Sequence, residues 1–479
     1  MSLDPERIPV LAGVGQINDR EDRLDPGEMM IEALRRAEYD AGARVLADAD
    51  SLSVVTQIAW PDLGDLSPRI ADAVGMTGSA RQSKLPHGDT PIRYLNDAAD
   101  AIQRGESRIA LVTGGEALRT ARKRVNVDPV RARRREGHPT YAQQYGLVAP
   151  VDVYPLYENA CRAAWGQTLA EAQGESGAIW AGMSEVAAAN EAAWLRTAVS
   201  AAEVIMPSLA NRPIAFPYTK LQVANSSVNQ GAGFIVTSLA EARRRGVAEQ
   251  LLVFVGDGAA AKEPSDILAR DRYDFSVSMA SSIGATLAAN TLDAFDHVEL
   301  YSCFPCVPKM ARRIVHWPLE KPASVVGGLT FGGGPIGNYM SHAVAAMTLK
   351  LRGGGTGFLF ANGGFATENH CIALAGRPFE RRRGGYDVQA EADGARGAIP
   401  LLDEDYRGPA SIETCTVFYD RDGEPRGGVV VARTGAGART LARIDRADGD
   451  LIAWLTSGTG EPVGQFGTIT GEDRHWRMT

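Results

Sequence analysis

Two loops that contain glycine are the places in this sequence where the backbone itself could do chemistry. The longer lies in GGLTFGGGPIGNYMSHA, residues 327–343, and turns directly into a helical pattern. The shorter, HGDTPI at residues 87–92, also leads into a helical pattern. A helix start offers unpaired N–H groups and the positive end of a dipole, so such a loop can hold a carbonyl oxygen or an anion. The alternative is that these glycines only permit tight turns and close packing of helix on sheet.

Three polar side chains are candidates for proton transfer. Tyr301 ends the strand-like run FDHVELY, and Cys303 follows it. A phenol with a lowered pKa can act as an acid or a base, whereas ordinary packing with a satisfied hydroxyl is the alternative for Tyr301. Cys303 is a candidate catalytic thiol or a small buried hydrophobic residue. His87, beside the shorter glycine loop, is a further polar candidate, with a surface-loop histidine as the alternative.

The other histidines and cysteines do not suggest a metal site. His342 and His370 are expected to be structural or solvated. Cys303 and Cys306 form one pair without the second pair that a zinc site needs. We therefore expect no metal.

Basic side chains are concentrated in RTARKRVNVDPVRARRREGH, residues 119–138. Arg122, Lys123 and Arg124 lie in its first part and could pair with phosphate groups, whereas a solvated basic loop is the alternative. The sequence has neither a dinucleotide-binding fingerprint nor a phosphate-binding Lys-Ser/Thr loop. Nucleotide-dependent redox chemistry and kinase activity are therefore weakly supported.

The overall composition restricts the class of protein. A chain of 479 residues predicts two or three domains, and a net charge of -8 with a pI near 5.6 argues against nucleic-acid binding. The five cysteines are odd in number and irregularly spaced, which favours a reducing compartment, so we expect a cytoplasmic protein. The first residues lack a signal-peptide pattern and the apolar runs are strand-sized, so no membrane association is expected.

The pattern of apolar residues predicts an α/β core with an insertion and an extra domain. Short apolar runs alternate with helical patterns, as parallel β/α units require, in residues 1–116 with 223–262 and again in residues 263–380. Residues 117–222 between them form a helical segment. Residues 385–479 are β-rich, with ASIETCTVFY, GGVVVAR, RTLARID and LIAWL as strand-like segments, and predict a small barrel or sandwich.

The two β/α parts repeat each other. Residues 88–117 and residues 333–366 both run from a glycine loop containing Pro-Ile, through a helix with one apolar face, into a strand ending in Gly-Gly. This repeat predicts two related halves that face each other.

These motifs, in this order and at this spacing, resemble the thiolase superfamily. GGLTFGGGPIGNYMSHA is similar to its glycine-rich loop and following helix, VTGGEA to the strand end after its nucleophile helix, and ANSSVNQGAGFIVTSLAEARRRG to the segment that returns from its loop domain. LYSCFP lies where thiolases carry an Asn-Glu-Ala-Phe or His-Asp-Cys-Phe box. With the β-rich tail, the chain resembles type-1 thiolase-like proteins, which are often labelled acetyl-CoA acetyltransferases.

The resemblance implies a fold and a ligand. It implies a five-layered α-β-α-β-α core, a helical loop domain at residues 117–222 that grips coenzyme A, and an additional all-β domain, OB-like or barrel-like, at the C-terminus. Coenzyme A or acyl-CoA is the implied ligand, with no covalently bound cofactor, and the assembly is expected to be a monomer or a homodimer. Ser226 or its neighbour Ser227 matches a serine that contacts the pantetheine arm, and Arg122, Lys123 and Arg124 enter the implied CoA-binding domain.

The reactive side chains of thiolases do not carry over. The nucleophilic cysteine position falls on Gly88, and the histidine of the second loop falls on Gly334. The second cysteine falls in Ala361-Asn362-Gly363. Tyr301 and Cys303 match the box histidine and cysteine of one subgroup. The implied pocket loops therefore contain no standard catalytic group, and they comprise Gly88, Asp89, Gly333, Gly334, Asn362 and Gly363.

Three functions follow as alternatives. The first is a thiolase-like protein, an acyltransferase by resemblance, that binds acyl-CoA thioesters without ordinary thiolase turnover. The second is an acyl-CoA retro-aldolase that uses Tyr301, because a retro-aldol cleavage needs a base and an oxyanion site but no acyl-enzyme. The third is a non-catalytic acyl-CoA-binding or scaffold module.

Overall fold

Two related β/α halves form the core of the protein. The computed structural model describes residues 4–124, 138–291 and 294–478, without the side chains of Lys123 and Arg124. The first stretch of the core contains β1 Pro9–Asn18, α1 Pro26–Ala41, β2 Ser51–Val55, α2 Ser67–Ala73, β3 Ser79–Gln82, α3 Thr90–Arg104 and β4 Ile109–Ala117.

A helical segment follows β4 and ends in a short hairpin. Its elements are α4 Leu118–Arg124, α5 Tyr141–Gln144, α6 Pro150–Ala164, α7 Leu169–Ala189, α8 Ala201–Ile205, β5 Pro213–Ala215 and β6 Tyr218–Thr219. Helices α5, α7 and α8 begin at side-chain caps; Thr168, for example, accepts a hydrogen bond from the Glu171 N–H before α7. No described helix of the protein is both long and apolar enough to cross a membrane.

The chain then completes the first half and builds the second. The elements are β7 Asn229–Ser238, α9 Leu239–Arg244, β8 Val253–Lys262, α10 Val277–Asn290, β9 His297–Leu300, α11 Cys306–Ile314, α12 Tyr339–Leu351, β10 Thr356–Gly363 and β11 Glu368–Ala375.

The described strands of the two halves form one continuous nine-stranded sheet in the order β3-β2-β4-β7-β1-β8-β11-β10-β9. The succession β2-β4-β7-β1 of the first half corresponds to β9-β10-β11-β8 of the second. The two first strands meet through the pairs Val10–Phe254 and Leu11–Val253. The predicted repeat is thus confirmed. The sequence pattern predicted that the second half begins at residue 263. Strand β8 ends at Lys262, yet it is the first strand of the second half, because it pairs with β11.

The two helices of the repeat, α3 and α12, lie beside each other between the halves. Helix α3 contacts β4 and β7 on one side and β8 and β11 on the other, and α12 contacts β10 and β11 as well as β1 and β7. Helix α1 covers the outer face of the first half and α10 that of the second. This is the five-layered α-β-α-β-α core that the resemblance to thiolases implied.

The apolar faces predicted for α3 and α12 are buried. No residue of these faces is more than 7% exposed, which explains why both helices can lie between two sheets. The residues are Ile92, Leu95, Ala98, Ala99 and Ile102 in α3 and Met340, Ala343, Val344, Met347 and Leu351 in α12.

The C-terminal region is a closed five-stranded barrel. Its strands pair in the ring β12-β13-β14-β16-β15, and β15 pairs back with β12. The hairpin of the helical segment extends this sheet, because Ala215 of β5 pairs with Phe418 of β12. The elements of this region are α13 Gln389–Ala395, β12 Gly408–Tyr419, β13 Pro425–Thr434, β14 Arg439–Ile444, α14 Gly449–Ser457, β15 Phe466–Thr470 and β16 His475–Met478.

One segment of the barrel region is not the strand predicted from its sequence. LIAWL lies in helix α14, so that prediction is wrong. The side chain of Asp448 caps the helix by accepting a hydrogen bond from the Leu451 N–H at 3.1 Å. Leu451, Ile452 and Leu455 are buried on one face. A short apolar run fits both structures, and here the cap decides between them.

Candidate functional site

The two glycine loops of the repeat meet at the starts of α3 and α12. A Cβ atom added at Gly337 would lie 2.8 Å from the Cα atom of Pro86, so the second loop touches the first. Asn338 donates from Nδ2 to the backbone oxygen of Gly114 at 2.6 Å and fixes the second loop on β4. The repeated segments therefore converge on one region of the core.

Gly88 lies at the centre of this region. A Cβ atom there would overlap both the backbone oxygen of Asn362 and the hydroxyl oxygen of Tyr301. The Tyr301 phenol thus occupies the volume that a nucleophilic side chain would need. The Gly88 N–H donates a hydrogen bond to no described residue. A free N–H at a helix start is a suitable donor for a carbonyl oxygen or an oxyanion.

Tyr301 is buried, with 7% of its surface exposed, and its ring packs edge-on against Tyr339 with centroids 5.8 Å apart. Burial raises the pKa of the Tyr301 hydroxyl well above its ordinary value, and Cys303 and Asp89 raise it further. The lowered pKa that a base would require is therefore not present. A protonated phenol at this place can donate a hydrogen bond but does not accept a proton at neutral pH.

Cys303 is buried beside the Tyr154 hydroxyl. Burial raises the pKa of its thiol to about 12, although the hydrogen bond to Tyr154 acts in the opposite direction. The backbone oxygen of Cys303 accepts a hydrogen bond from the Ala224 N–H at 3.1 Å. A thiol with this pKa is not a nucleophile at neutral pH, because the thiolate is the reactive form.

Asn362 is held by its side chain in a buried polar network. Its Oδ1 accepts a hydrogen bond from the Tyr154 hydroxyl at 3.1 Å, and its Nδ2 donates to Asn369 Oδ1 at 2.9 Å. The Tyr154 hydroxyl in turn accepts from the Ala366 N–H at 2.9 Å. Asn362 therefore faces Gly88 with its backbone oxygen, while its amide is engaged elsewhere. Gly363 is adjacent, since a Cβ atom there would lie 3.2 Å from the Gly88 nitrogen.

Several N–H groups of the second glycine loop are already bound by acceptors of the protein. Gly334 donates to the backbone oxygen of Asn225 at 2.8 Å, so its N–H is not a free donor like that of Gly88. Gly333 has φ of 104°, and a Cβ atom there would overlap the side-chain oxygen of Gln230. This position requires glycine for both reasons. Ser324 Oγ accepts from the Gly327 N–H at 2.8 Å and holds the start of the loop.

His87 and Asp89 flank Gly88 and bind different partners. His87 Nδ1 lies 3.1 Å from Glu368 Oε2 in an ion pair, and this contact with the Glu368 carboxylate raises the pKa of His87. Asp89 is buried and receives Arg93 Nη2 at 2.7 Å on one oxygen, while its Oδ1 is buried without a hydrogen-bond partner among the described residues. These charged groups surround the start of α3.

The residues predicted to bind coenzyme A are partly brought together. Arg122 Nη2 donates to Ser226 Oγ at 2.9 Å, and the Ser227 N–H donates to Asn225 Oδ1 at 3.1 Å. Because the Gly334 N–H binds the backbone oxygen of Asn225, this serine segment is joined directly to the second glycine loop. The side chains of Lys123 and Arg124 lie outside the described part of the protein.

His342 and His370 are buried parts of the core. His342 Nδ1 lies 2.7 Å from Gln16 Oε1, and His370 Nε2 lies 2.7 Å from Asn96 Nδ2. Burial lowers the pKa of each histidine to about 3, so both are neutral at physiological pH. Among the described residues, no three His, Cys, Asp or Glu side chains are grouped so that they could hold a metal ion.

Sequence reasoning missed Tyr154 and Glu299. Tyr154 lies in the helical segment, far along the chain from the residues that it contacts. Glu299 is a buried carboxyl in strand β9; burial raises its pKa to about 7, and it accepts a hydrogen bond from the Val325 N–H below the second glycine loop. A single acidic residue inside the apolar run HVEL was the available signal for Glu299.

Two cavities of the molecule lie away from the Gly88 region. One, of about 500 Å³, is lined by charged and small residues that include Asp48, Asp50, Arg108 and Arg245. The other, of about 110 Å³, is lined by residues that include Phe254 and Arg382.

The fold, the repeat and the paired glycine loops define the class as thiolase-like, and comparisons with known proteins agree. Residues 387–474 match the family model described as the thiolase-like protein type 1 additional C-terminal domain. A monomeric SCP2-thiolase-like protein type 1 from Mycobacterium smegmatis superposes with a TM-score of 0.85 at 28% identity, covering 100% of both chains. The chain is a thiolase-like protein with an additional C-terminal domain.

More distant solved structures share the core. An aldolase described as Ltp2-ChsH2(DUF35) has a TM-score of 0.60 at 16% identity, covering 78% of this chain and 99% of its own. The dimeric peroxisomal thiolase of Saccharomyces cerevisiae has the same TM-score and identity, with coverage of 78% and 98%. At this identity the similarity shows the fold alone. A search of curated proteins found no match.

Proposed function

We propose that this protein binds acyl-CoA thioesters at the Gly88 loop without carrying out ordinary thiolysis. The observation that carries the proposal is the arrangement at Gly88. Its N–H has no acceptor among the described residues, while Tyr301 and Asn362 fill the space of a nucleophilic side chain. A thioester oxygen has a donor, but no nucleophile stands beside it to form an acyl-enzyme.

The other positions considered for thiolase chemistry, Cys303, Tyr301 and Gly334, also support the proposed absence of thiolysis. Cys303 holds a thiol with a pKa of about 12, and Tyr301 holds a phenol whose pKa is raised by burial. Gly334 contributes no imidazole, and its N–H is occupied by Asn225. No described group at this place is therefore poised to be acylated at neutral pH.

The coenzyme A part of the ligand is supported by the contact between Arg122 and Ser226. A guanidinium donates well to phosphate oxygens. This one binds Ser226, whose neighbour Asn225 accepts a hydrogen bond from Gly334 of the second glycine loop. The similarity of the whole chain to a thiolase-like protein supports an equivalent position for these residues in a shared fold.

Calorimetric titration with acetyl-CoA, a 3-oxoacyl-CoA and free CoA tests this function. We expect the acyl-CoA esters to bind more tightly than CoA, and Arg122→Gln to weaken all three about tenfold, or about 1.4 kcal/mol. Arg196→Gln, at an exposed arginine of the same helical segment, is the matched control and should have no effect. Formation of acetyl-CoA from 3-oxoacyl-CoA and CoA, or failure to bind any ester, would overturn the proposal.

A second candidate is an acyl-CoA retro-aldolase, favoured by the position of the Tyr301 hydroxyl against Gly88. A protonated phenol at the thioester oxygen could stabilise the enolate that a retro-aldol cleavage releases. One solved structure with the same core fold is described as an aldolase, so this fold is compatible with aldol chemistry. In this role Tyr301 acts as a hydrogen-bond donor, because burial keeps it protonated.

Release of an aldehyde or ketone from 3-hydroxyacyl-CoA esters tests the aldolase function. If it operates, Tyr301→Phe should lower the rate about 100-fold or more, since one oxyanion donor typically contributes that much. Acyl-CoA binding with no carbonyl product would exclude the aldolase while leaving the binding function intact.

A further inference from the structure

The ion pair between His87 and Glu368 lies directly beside the free Gly88 N–H. His87 precedes Gly88 in the loop, and Glu368 begins β11, where it pairs with Gly363 of β10. A Cβ atom at Gly363 would lie 3.2 Å from the Gly88 nitrogen and 3.4 Å from Glu368 Cβ. The imidazole, its carboxylate partner and the free donor are thus parts of one small region.

The geometry of the pair is suited to acid–base chemistry. The carboxylate meets Nδ1 of His87 at 3.1 Å, which leaves Nε2 as the nitrogen that can accept or release a proton. The Glu368 side chain is 12% exposed and that of His87 is 31% exposed, so the carboxylate is fixed inside while the imidazole reaches solvent. A carboxylate that orients a histidine and stabilises its charged form is a recurrent catalytic arrangement.

The charges around His87 come from three elements. Glu368 on β11 and Asp89 before α3 are the acidic groups, and Lys262 at the end of β8 lies 3.7 Å from Glu368 Oε1. Arg93 on α3 pairs with Asp89, and its positive charge helps to lower the pKa of Glu368. The net result is a raised pKa for His87, whereas His342 and His370 have a pKa lowered to about 3 by burial.

We propose that His87, oriented by Glu368, is a catalytic base that exchanges the α-proton of an acyl-CoA thioester bound at Gly88. The α C–H bond breaks, the proton moves to Nε2, and the electron pair moves onto the thioester oxygen, which the Gly88 N–H stabilises as an enolate. The proton held on His87 Nε2 exchanges with water before His87 returns a solvent-derived proton to the α-carbon, which restores the thioester and leaves the imidazole neutral for the next cycle. This inference rests on the proposed binding of acyl-CoA, and it needs no acyl-enzyme.

Hydrogen–deuterium exchange of acetyl-CoA in D₂O, followed by proton NMR, tests the assignment. The wild-type protein should exchange the acetyl protons, with a rate that rises with pH through the pKa of His87, because the neutral imidazole is the base. His87→Gln should lower the rate about 100-fold or more. Glu368→Gln should lower the limiting rate and move the midpoint of the pH profile down, because the neighbouring negative charge is lost.

Lys262→Gln gives a matched shift in the opposite direction. It removes a neighbouring positive charge without touching the imidazole, so it should keep the exchange and move the midpoint up. A purely structural role for the pair would move neither midpoint. Calorimetric binding of acetyl-CoA without exchange, or equal exchange by the His87→Gln variant, would overturn this inference alone, whereas absence of binding would overturn the proposed function with it.

Discussion

At the scale of single residues, the candidate site is defined by the contact between Gly88 and the Tyr301 side chain. A phenol from the end of β9 fills the space that Gly88 leaves open, and the backbone oxygen of Asn362 closes it from β10. The free donor of the loop is therefore retained while the nucleophile position is sealed. The absence of a side chain at Gly88 and the position of the Tyr301 phenol therefore depend on each other.

Gly88→Ala tests this packing. The added methyl group would overlap Asn362 and Tyr301, so we expect a loss of unfolding free energy of about 1–3 kcal/mol, measured by urea denaturation. Gly174→Ala in α7 is the control, because nothing lies within 4 Å of a Cβ atom there, and alanine should stabilise the helix by about 0.5–1 kcal/mol. A Gly88→Ala variant as stable as the wild type would show that the space is open.

Sequence reasoning identified Gly88 and Tyr301 as separate candidates but not their contact. The missing cysteine and the tyrosine in the LYSCFP segment are visible as residue types. Their contact joins segments far apart in the chain, and no local period encodes it. The pKa values of Tyr301 and Cys303 depend on burial in the folded core, so they could not be predicted from residue type either.

At the scale of elements, periodic patterns predicted the core well. The apolar faces of α3 and α12 follow helical spacing, and their repetition predicted the two related halves. The segment LIAWL was predicted wrongly because five apolar residues fit either a strand or a helix. The pairing of β5 with β12 is a non-local contact between the helical segment and the barrel, and no pattern in either segment indicated it.

Strand β14 shows how the barrel is anchored on the core. Arg439 at its start is fully buried, donates to the backbone oxygen of Leu268 at 2.6 Å, and pairs with Glu413 Oε2 at 2.8 Å. Thr414 of β12 also donates to the backbone oxygen of Leu156 in α6 at 2.6 Å. The barrel is therefore attached through specific buried polar contacts as well as apolar packing.

Arg439→Met should destabilise the protein by about 3–5 kcal/mol, because it leaves Glu413 without one of its two arginine partners and removes donors from buried carbonyl oxygens. Urea denaturation measures this loss. Arg421→Met, at an exposed arginine of the same barrel, should change the unfolding free energy by no more than about 0.5 kcal/mol. Equal effects of the two substitutions would contradict the anchoring role of Arg439.

At the scale of the whole molecule, the thiolase-like core contacts the helical segment, and the helical segment contacts the barrel. Helix α6 belongs to the helical segment, yet it contacts β12 of the barrel and supplies Tyr154 to the network that holds Asn362. One similar protein is described as monomeric and another as dimeric, and either assembly fits this core. Helix α6 therefore connects the additional domain to the network that holds Asn362.

Carbon-13 NMR of acetyl-CoA labelled at the thioester carbonyl shows whether the carbonyl oxygen binds at Gly88 without forming an acyl-enzyme. We expect the carbonyl signal to shift on binding to the wild-type protein, no acyl-enzyme signal to form, and the Gly88→Ala variant to lose the shift. Transfer of the label to a protein side chain, or an unshifted carbonyl in the wild-type complex, would contradict this expectation.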